Sequence, residues 1–243
     1  MASTNDRARQ LLAGTGDPRA ARVETPCLVL TESQTAGRGR GEHCWWSEPG
    51  ALTFSVLLRA ELQDLPVENW PSVSLLTALS VIDALTEPMR PLPLGLRWSN
   101  DVYAGGRKIC GILPERVGAP GKTTLILGIG INVNNRTVNA PAEVRSIATS
   151  MIEATGTEFD LTDVLVQVLQ QLQRRVRRLA SLDPRLPMEW NELSLLTGQR
   201  VHLELGSTSV AGICRGIDLV GRIQLETAHG LQAYASGVVV RSE

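Results

Sequence analysis

The segment 35–41 constrains this chain more than any other, because it joins Arg38 and Arg40 to three glycines and offers almost nothing to bury. Glycines let backbone N–H groups approach an anion, and the arginine guanidinium presents a planar fork of donors that matches carboxylate and phosphate oxygens. Two tryptophans, a Pro-Gly turn and an apolar run that predicts a strand follow at 45–58. We therefore predict an anion-binding loop, here called the anion loop (residues 37–45), although an exposed linker can share this composition.

Length and charge limit the function classes. The chain has 243 residues, 43% of them hydrophobic and 20% charged, which predicts one full-sized domain and a small second one. A net charge of −1 argues against a dedicated nucleic-acid binder, so we expect phosphate recognition to be local. No apolar run reaches the roughly 18 residues of a membrane span, and the start lacks a signal peptide. We expect a cytoplasmic protein without nucleic-acid or membrane partners.

The cysteines and histidines do not predict a metal site. Cys27, Cys44, Cys110 and Cys214 show no C-x-x-C spacing, and the three histidines form no ligand pair. A chain of this size can build its own core without disulfides. We therefore expect buried reduced thiols, with no zinc and no tightly bound organic cofactor.

The basic run at 174–178 has two interpretations. Its four arginines are typical of a nucleic-acid patch, but apolar residues recur around them at i, i+3 and i+4 from Leu161 to Leu179. That spacing predicts an amphipathic helix over 162–182. We interpret the arginines as its solvated face.

The remaining pattern predicts a mixture of helices and strands. Besides 162–182, helices are predicted at 7–13, 72–85 and 148–155, and strands at 26–31, up to Leu58, and at 94–98, 102–104, 108–113 and 123–134. The residues 3–6 precede the first helix as a cap, Gly14 ends it, and Gly105-Gly106 predicts a two-residue hairpin turn. A connector near 184–187 leads to short strands at 201–205, 210–213, 223–226 and 233–240, which predict a small barrel.

Polar residues and glycines mark two further places. Asn100 and Asp101 follow one strand and Lys108 lies on the next, so these side chains can meet in a cleft. An Asx turn and an exposed strand lysine explain the same residues without a site. The following apolar strand contains Gly128 and Gly130, and glycine inside a strand indicates close approach of a ligand or of another strand.

Together these segments resemble the biotin protein ligases, which activate biotin with ATP and attach it to a lysine of a carrier protein. The resembling motifs are Ser-Thr-Asn at 3–5, Gly-Arg-Gly-Arg at 37–40, Arg-Trp-Ser-Asn-Asp at 97–101, Gly-Arg-Lys…Gly-Ile-Leu at 106–113, Gly-Ile-Gly-Ile-Asn-Val-Asn at 128–134 and Arg-Gly-Ile-Asp at 215–218. Each motif alone is weak evidence. Their shared order along nearly the whole chain makes the resemblance specific.

The resemblance implies a fold and partners. The fold would be α+β, of the class II synthetase-like or biotin/lipoate ligase type: a mixed sheet with helices on one side, then a small SH3-like β-barrel. The catalytic domain would span 1–190 and the barrel 191–243. Biotin and ATP would be the substrates, with Mg²⁺ bound through the phosphates. The acceptor would be the biotin carboxyl carrier domain of acetyl-CoA carboxylase, and a side-by-side homodimer is left open.

The resemblance also implies residue roles. Arg38 and Lys108 would meet where biotin's carboxylate attacks the α-phosphorus of ATP, and Arg40 would hold the phosphates. Asp101 would orient or deprotonate the carrier lysine and is the candidate Mg²⁺ ligand. The biotin-binding residues would be Ser3, Thr4, Asn5, Gln34, Gly37, Arg38, Lys108 and Gly111. The nucleotide-binding residues would be Arg40, Trp45, Asn100, Asn132 and Arg215. Trp45 and Trp98 are candidate walls of the slot, although both can equally belong to the core.

Three departures from the family pattern bear on these roles. Arg97 and Ser99 replace its Lys and Pro, and Glu42 stands where many relatives are more basic. Only Met1 and Ala2 precede the Ser-Thr-Asn motif, which leaves no room for the winged-helix domain of repressor-type members. We expect a ligase without its own repressor function.

Three other functions stay open at this stage. A lipoate or octanoate transferase would share an apolar acid and a carrier lysine but should lack the paired arginines. A degenerate biotin- or nucleotide-binding module would bind without turnover. A DNA-binding repressor is opposed by the neutral charge and by the short start of the chain.

Overall fold

A computed structural model describes residues 1–14, 23–41, 43–59, 70–118, 123–180 and 185–243. The helices are α1 (Thr4–Ala13), α2 (Trp70–Leu85), α3 (Ala142–Ile147), α4 (Met151–Thr155), α5 (Leu161–Ala180) and α6 (Arg185–Leu193), with a 3-10 turn at Thr137–Asn139. The strands are β1 (Cys27–Thr31), β2 (Ala51–Leu58), β3 (Leu94–Arg97), β4 (Asp101–Ala104), β5 (Arg107–Val117), β6 (Thr124–Asn132), β7 (Arg200–Leu205), β8 (Thr208–Ile217), β9 (Ile223–Thr227), β10 (Gly230–Tyr234) and β11 (Val238–Ser242). Among these helices, none combines the length and the apolar character needed to cross a bilayer.

Most predicted elements are confirmed within a few residues. α1 begins earlier than predicted, after Ser3 accepts a hydrogen bond from the Asp6 backbone, and it ends at Gly14 in the left-handed conformation. The helix predicted at 148–155 begins only at Met151, and α3 was not predicted. The last two residues predicted for the long helix, and the start of the predicted connector, lie outside the described ranges.

The first sheet has six strands in the order β1-β2-β6-β5-β4-β3. Every neighbouring pair is antiparallel, and the parallel contacts that are seen are isolated bridges, Leu96 to Ser194 and Lys108 to Ala148. The predicted mixed sheet is therefore wrong. Four of the five pairings join strands that follow one another in the chain, and such hairpin connections produce antiparallel pairs.

Helices cover both faces of this sheet, so the prediction of helices on one side is also wrong. Phe54 and Val56 of β2 point into the main core with α2 and α5. Leu57 points the other way and packs with Ala8 of α1 and Ile126 of β6. Both β2 and β6 are buried along their whole length, as expected for strands covered on two sides.

The basic run on α5 is only partly a solvated face. Arg174 and Arg177 are exposed, but the Arg175 side chain is 10% exposed and pairs with Asp83 of α2 and Glu189 of α6, each at 2.6 Å. This ion cluster joins three helices. The predicted solvated face is wrong for Arg175, whose partners are far away in the sequence.

The second sheet has five antiparallel strands in the order β10-β9-β8-β7-β11. The strand predicted at 233–240 is in fact divided between β10 and β11. Throughout 185–243, which the structure describes completely, no pairing joins these two edge strands. The sheet is therefore open, and the α+β class is confirmed without a closed barrel.

Candidate functional site

Three glycines form a strip on the face of the first sheet that carries α1. Gly111 of β5 lies opposite Gly130 of β6, and Gly128 lies two residues before Gly130 on the same face. A Cβ placed on Gly130 would be 2.3 Å from the Trp45 ring, and one on Gly128 would be 2.5 Å from Asn5 Oδ1. The glycine strip (Gly111, Gly128, Gly130) therefore lets α1 and the anion loop pack directly on the sheet.

The start of α1 brings several predicted biotin-site residues together. The Thr4 backbone N–H donates to Gln34 Oε1 at 2.7 Å. The Ser55 hydroxyl donates to Asn5 Oδ1 at 2.6 Å and lies 2.8 Å from Thr4 Oγ1. Sequence reasoning missed Ser55, although a serine in the apolar strand β2 was a signal of a polar partner.

The first two residues lie beside the entry to the anion loop. The backbone N–H of Thr35 donates to the Met1 carbonyl at 3.0 Å, and that of Ala36 donates to the Ala2 carbonyl at 2.9 Å. The beginning of the chain and the beginning of the loop are thus held together.

Arg38 is held by two carboxylates. It donates to both oxygens of Glu115 at 2.8 and 2.9 Å, and it pairs with Asp6 at 2.8 Å. The hydrogen bond to Glu115 raises the pKa of Arg38 despite partial burial. Its Nε is buried and has no hydrogen-bond partner within the described part of the chain.

Glu115 is a site residue that sequence reasoning missed. Asn5 Nδ2 and Arg9 also donate to it, each at 2.8 Å. Burial alone would raise the pKa of Glu115, but the hydrogen bonds from Arg9, Arg38 and Asn5 outweigh burial and lower it. Its signal was periodicity, because Gly111, Leu113 and Glu115 alternate onto one face of β5.

Lys108 forms its ion pair with Asp101 rather than with the acids that hold Arg38. Its Nζ lies 2.7 Å from Asp101 Oδ1 and 6.0 Å from the centre of the Trp45 ring. The structure thus confirms that Asp101 and Lys108 meet. It does not show Lys108 and Arg38 sharing a partner, since Glu115 and Asp6 hold Arg38.

Arg40 lies in a more apolar setting. Its guanidinium donates to Ser99 Oγ at 2.6 Å and stands 5.8 Å from the centre of the Trp98 ring. Burial lowers the pKa of Arg40, and the negative charge of Asp101 offsets only part of this. None of the carboxylates that the structure describes forms an ion pair with it.

A cavity of about 200 Å³ lies next to Arg40, between the two sheets. It is lined by Arg40, Ser74, Trp98, Ser99, Asn100, Leu113, Pro114, Gly221 and Ala235. The Trp98 indole N–H donates to the Gly221 carbonyl at 3.1 Å, which ties the second sheet to this cavity.

The five predicted nucleotide-binding residues do not all come together. Arg40 and Asn100 line the cavity, whereas Trp45 lies over the glycine strip with its indole N–H buried and without a described partner. Asn132 is buried and donates to the Thr149 carbonyl at 3.0 Å. Arg215 is exposed and donates through Nε to Glu226 at 2.7 Å.

The metal and cysteine predictions have mixed outcomes. The described residues contain no group of three or more His, Cys, Asp or Glu side chains that could hold a metal ion. Asp101, the predicted Mg²⁺ ligand, is already paired with Lys108. Cys110 and Cys214 are buried, and burial raises the pKa of both thiols. Cys44 is exposed and Cys27 is partly exposed, so the prediction of buried thiols is wrong for these two.

Comparisons with known proteins give consistent results. The Biotin/lipoate A/B protein ligase family matches residues 8–134, and the Biotin protein ligase C terminal domain matches residues 196–242. The biotin--[acetyl-CoA-carboxylase] ligase of Mycobacterium tuberculosis is 35% identical over 217 residues, which are 88% of this chain and 78% of that protein. The ligase of the same name from Paracoccus denitrificans is 27% identical over 98% of this chain and 96% of its own.

A solved structure extends the similarity to three dimensions. The biotin protein ligase from Aquifex aeolicus in complex with biotin and ATP aligns with a TM-score of 0.80 and 31% identity. The alignment covers 97% of this chain and 93% of that one. The similarity therefore extends over nearly the whole length of both chains.

Proposed function

This chain belongs to the Biotin/lipoate A/B protein ligase family, and from that premise we propose how it works as a biotin protein ligase. The ligase function predicted from the sequence is confirmed by the family and by the similar ligases. The enzyme activates biotin with ATP to form biotinyl-5′-AMP and pyrophosphate. It then transfers biotin to a lysine of the biotin carboxyl carrier domain of acetyl-CoA carboxylase or a related enzyme.

The observation that carries this proposal is the convergence of three distant segments on the glycine strip. The start of α1, the anion loop and the β4–β5 hairpin place Asn5, Trp45 and Lys108 around it. The flat indole of Trp45, which covers the strip, and the polar groups beside it suit a small ring with a ureido group. The buried indole N–H of Trp45 has no hydrogen-bond partner among the described residues and is a donor that a ligand could use.

The first chemical step brings two anions together. An oxygen of biotin's carboxylate attacks the α-phosphorus, a new O–P bond forms, and pyrophosphate leaves. Arg38, Arg40 and Lys108 offset the repulsion between carboxylate and phosphate. A hydrogen bond to a charged group contributes about 1.5 to 3 kcal/mol, so each cation is worth roughly a tenfold to hundredfold change in rate.

The cavity beside Arg40 is the proposed place for part of the nucleotide. Arg40 supplies a cation without a described acidic partner, and Asn100 and Trp98 supply a polar and a flat apolar wall. Trp98 therefore joins the proposed nucleotide site. Trp45, Asn132 and Arg215 stay predictions, and Trp45 lies nearer to the proposed biotin residues than to this cavity.

The second step needs a neutral lysine on the carrier. Free lysine has a pKa near 10.4, so the amine must be deprotonated or oriented before it attacks the acyl carbon of the adenylate and releases AMP. Asp101 is the proposed residue for this step. Its pairing with Lys108 holds it at the edge of the strip, where the acyl phosphate would form.

The proposal also includes the type of the second domain, the domain boundary, the metal ion, the oligomeric state and the location. The open five-stranded sheet is compatible with an SH3-like domain, and a boundary between 1–190 and 191–243 is compatible with the two matched family regions. Among the residues that the structure describes, none join Asp101 in a dedicated metal site, so Mg²⁺ as a companion of ATP stays a prediction. The homodimer and the cytoplasmic location also stay predictions.

Transfer of labelled acids to a purified carrier domain tests the proposal. With ATP and Mg²⁺, the native chain should label the carrier with biotin but not with lipoate or octanoate. Labelling with lipoate or octanoate would assign the chain to the transferase alternative. Tight biotin binding without any labelling would indicate the degenerate binding module.

A further inference from the structure

Glu115 is the centre of a charged cluster on the α1 face of the first sheet. Its side chain is 11% exposed, and it receives hydrogen bonds from Asn5, Arg9 and Arg38. Two acids, Asp6 and Glu115, face two bases, Arg9 and Arg38. The cluster is therefore electrically balanced before any ligand is present.

Arg38 has no free pair of donors in this arrangement. A guanidinium binds an oxyanion best through two parallel N–H groups. Glu115 occupies the pair formed by both terminal nitrogens, and Asp6 takes a further donor of NH2. The Nε is buried, so a second carboxylate or phosphate cannot bind Arg38 through two hydrogen bonds while Glu115 remains.

We infer that Glu115 stands in for the ligand's oxyanion on Arg38, and that biotin's carboxylate or the adenylate phosphate must exchange with Glu115 to bind. The inference rests on the proposed role of Arg38 and adds a residue to it. Glu115 is a positioning residue, because it acts on the ligand through Arg38 and also orients Asn5.

The neighbours of Glu115 make such an exchange feasible. A buried carboxylate that loses its only cation is strongly destabilised. Glu115 keeps Arg9 and Asn5, each at 2.8 Å, when Arg38 turns away. Release of Arg38 therefore leaves the carboxylate charged and hydrogen-bonded.

Competition of this kind predicts a charge-specific effect. In the native enzyme, a ligand with a carboxylate must displace Glu115, whereas neutral biotinamide need not. Glu115→Gln removes the competing charge and should increase the ratio of biotinamide Kd to biotin Kd about tenfold, equivalent to about 1.4 kcal/mol. General damage to the pocket would weaken both ligands and leave the ratio unchanged.

Calorimetry with both ligands tests this on four proteins: native, Glu115→Gln, Arg38→Ala and the double variant. We expect the ratio to rise in Glu115→Gln and the double variant to match Arg38→Ala. An unchanged or lower ratio in Glu115→Gln would overturn the inference and make the pair a fixed anchor. The inference would also be overturned if the ratio rose as much from Arg38→Ala to the double variant as it does from the native protein to Glu115→Gln.

Hydrogen exchange of the ligand-free proteins gives a second test. The amides of the anion loop should exchange faster in Glu115→Gln, and Asp6→Asn should have a smaller effect because Asp6 is more exposed. Glu226→Gln, which removes the acid from the exposed Arg215 pair, is the matched control and should change nothing in the loop. Unchanged exchange of the loop amides in Glu115→Gln would contradict the inference about Glu115, whether or not biotin binds. Failure of the native protein to bind biotin would instead contradict the proposed function.

Discussion

Arg38 and Arg40 are two residues apart in one loop, yet their surroundings are opposite. Arg38 donates to Glu115 and pairs with Asp6, and its pKa is raised. Arg40 has a hydroxyl and an indole ring for neighbours, and burial lowers its pKa. In the proposed mechanism, a ligand competes with Glu115 for Arg38, whereas Arg40 is available as its first counter-ion. Two identical residues of one motif can thus have different proposed roles: Arg38 selects the ligand and Arg40 attracts it.

Lys108→Ala should have the largest effect, because Lys108 is the proposed donor to both biotin's carboxylate and the α-phosphate. We expect transfer of labelled biotin to fall at least about a hundredfold, consistent with loss of charged hydrogen bonds to both groups. Arg107→Ala is the matched control, since Arg107 is exposed and donates to the Arg145 carbonyl. Equal losses in the two variants would show that Lys108 acts through the hairpin rather than through its charge.

Separate alanine variants of the two arginines should split the Michaelis constants. Arg40→Ala should raise KM for ATP about tenfold or more and leave KM for biotin within about threefold. Arg38→Ala should raise KM for biotin about tenfold or more and leave KM for ATP within about threefold. Steady-state kinetics with each substrate varied in turn would measure both KM values. The same KM changes in the two variants would contradict the proposed difference between Arg38 and Arg40.

The glycine strip offers a graded test of the biotin end. A methyl group on Gly130 would meet the Trp45 ring at 2.3 Å, whereas one on Gly111 would meet it at 3.0 Å. Gly130→Ala should therefore weaken biotin binding about tenfold and Gly111→Ala by less, because overpacking of about 1 to 3 kcal/mol is expected at such contacts. ATP binding measured in the same proteins should hardly change. A larger effect from Gly111→Ala would mean that Trp45 moves away when biotin binds.

Acid stability should show the smallest difference. Because the pKa of Glu115 is lowered on folding, its stabilising effect is present above the ordinary value of 4.5 and is lost as the pH falls through the lowered pKa. Between neutral pH and pH 3, Glu115→Gln should lose less free energy of unfolding than the native protein, by on the order of 1 kcal/mol. Urea unfolding at several pH values measures this difference. Parallel curves would mean that Glu115 is equally stabilised in the unfolded chain.

Local sequence signals predicted much of the fold. Gly105 and Gly106 both have positive φ in the turn between β4 and β5, as the Gly-Gly pair predicts. Ser3 and Gly14 bound α1 because caps act on neighbouring backbone groups. The direction and order of the strands could not be predicted in the same way, because they depend on pairings between distant segments.

The candidate site shows the same limit. The resemblance named Lys108 and Asp101, and a short hairpin was enough to bring them together. Glu115 was missed because it lies 77 residues from Arg38 in the sequence, although the two side chains are hydrogen-bonded in the fold. The partners of Arg175 were missed for the same reason, since a charge is buried only when the fold supplies acids from other helices.

The contact of the first two residues with Thr35 and Ala36 has a practical consequence for anyone who purifies this enzyme. An affinity tag fused ahead of Met1 would begin beside the anion loop, the proposed binding segment, and we expect its bulk and charge to weaken substrate binding. A histidine tag there would also add metal-binding groups next to a reaction that uses ATP. A tag fused after Glu243 would instead extend from the second sheet, where Glu243 pairs with Arg200, and would leave the loop unencumbered.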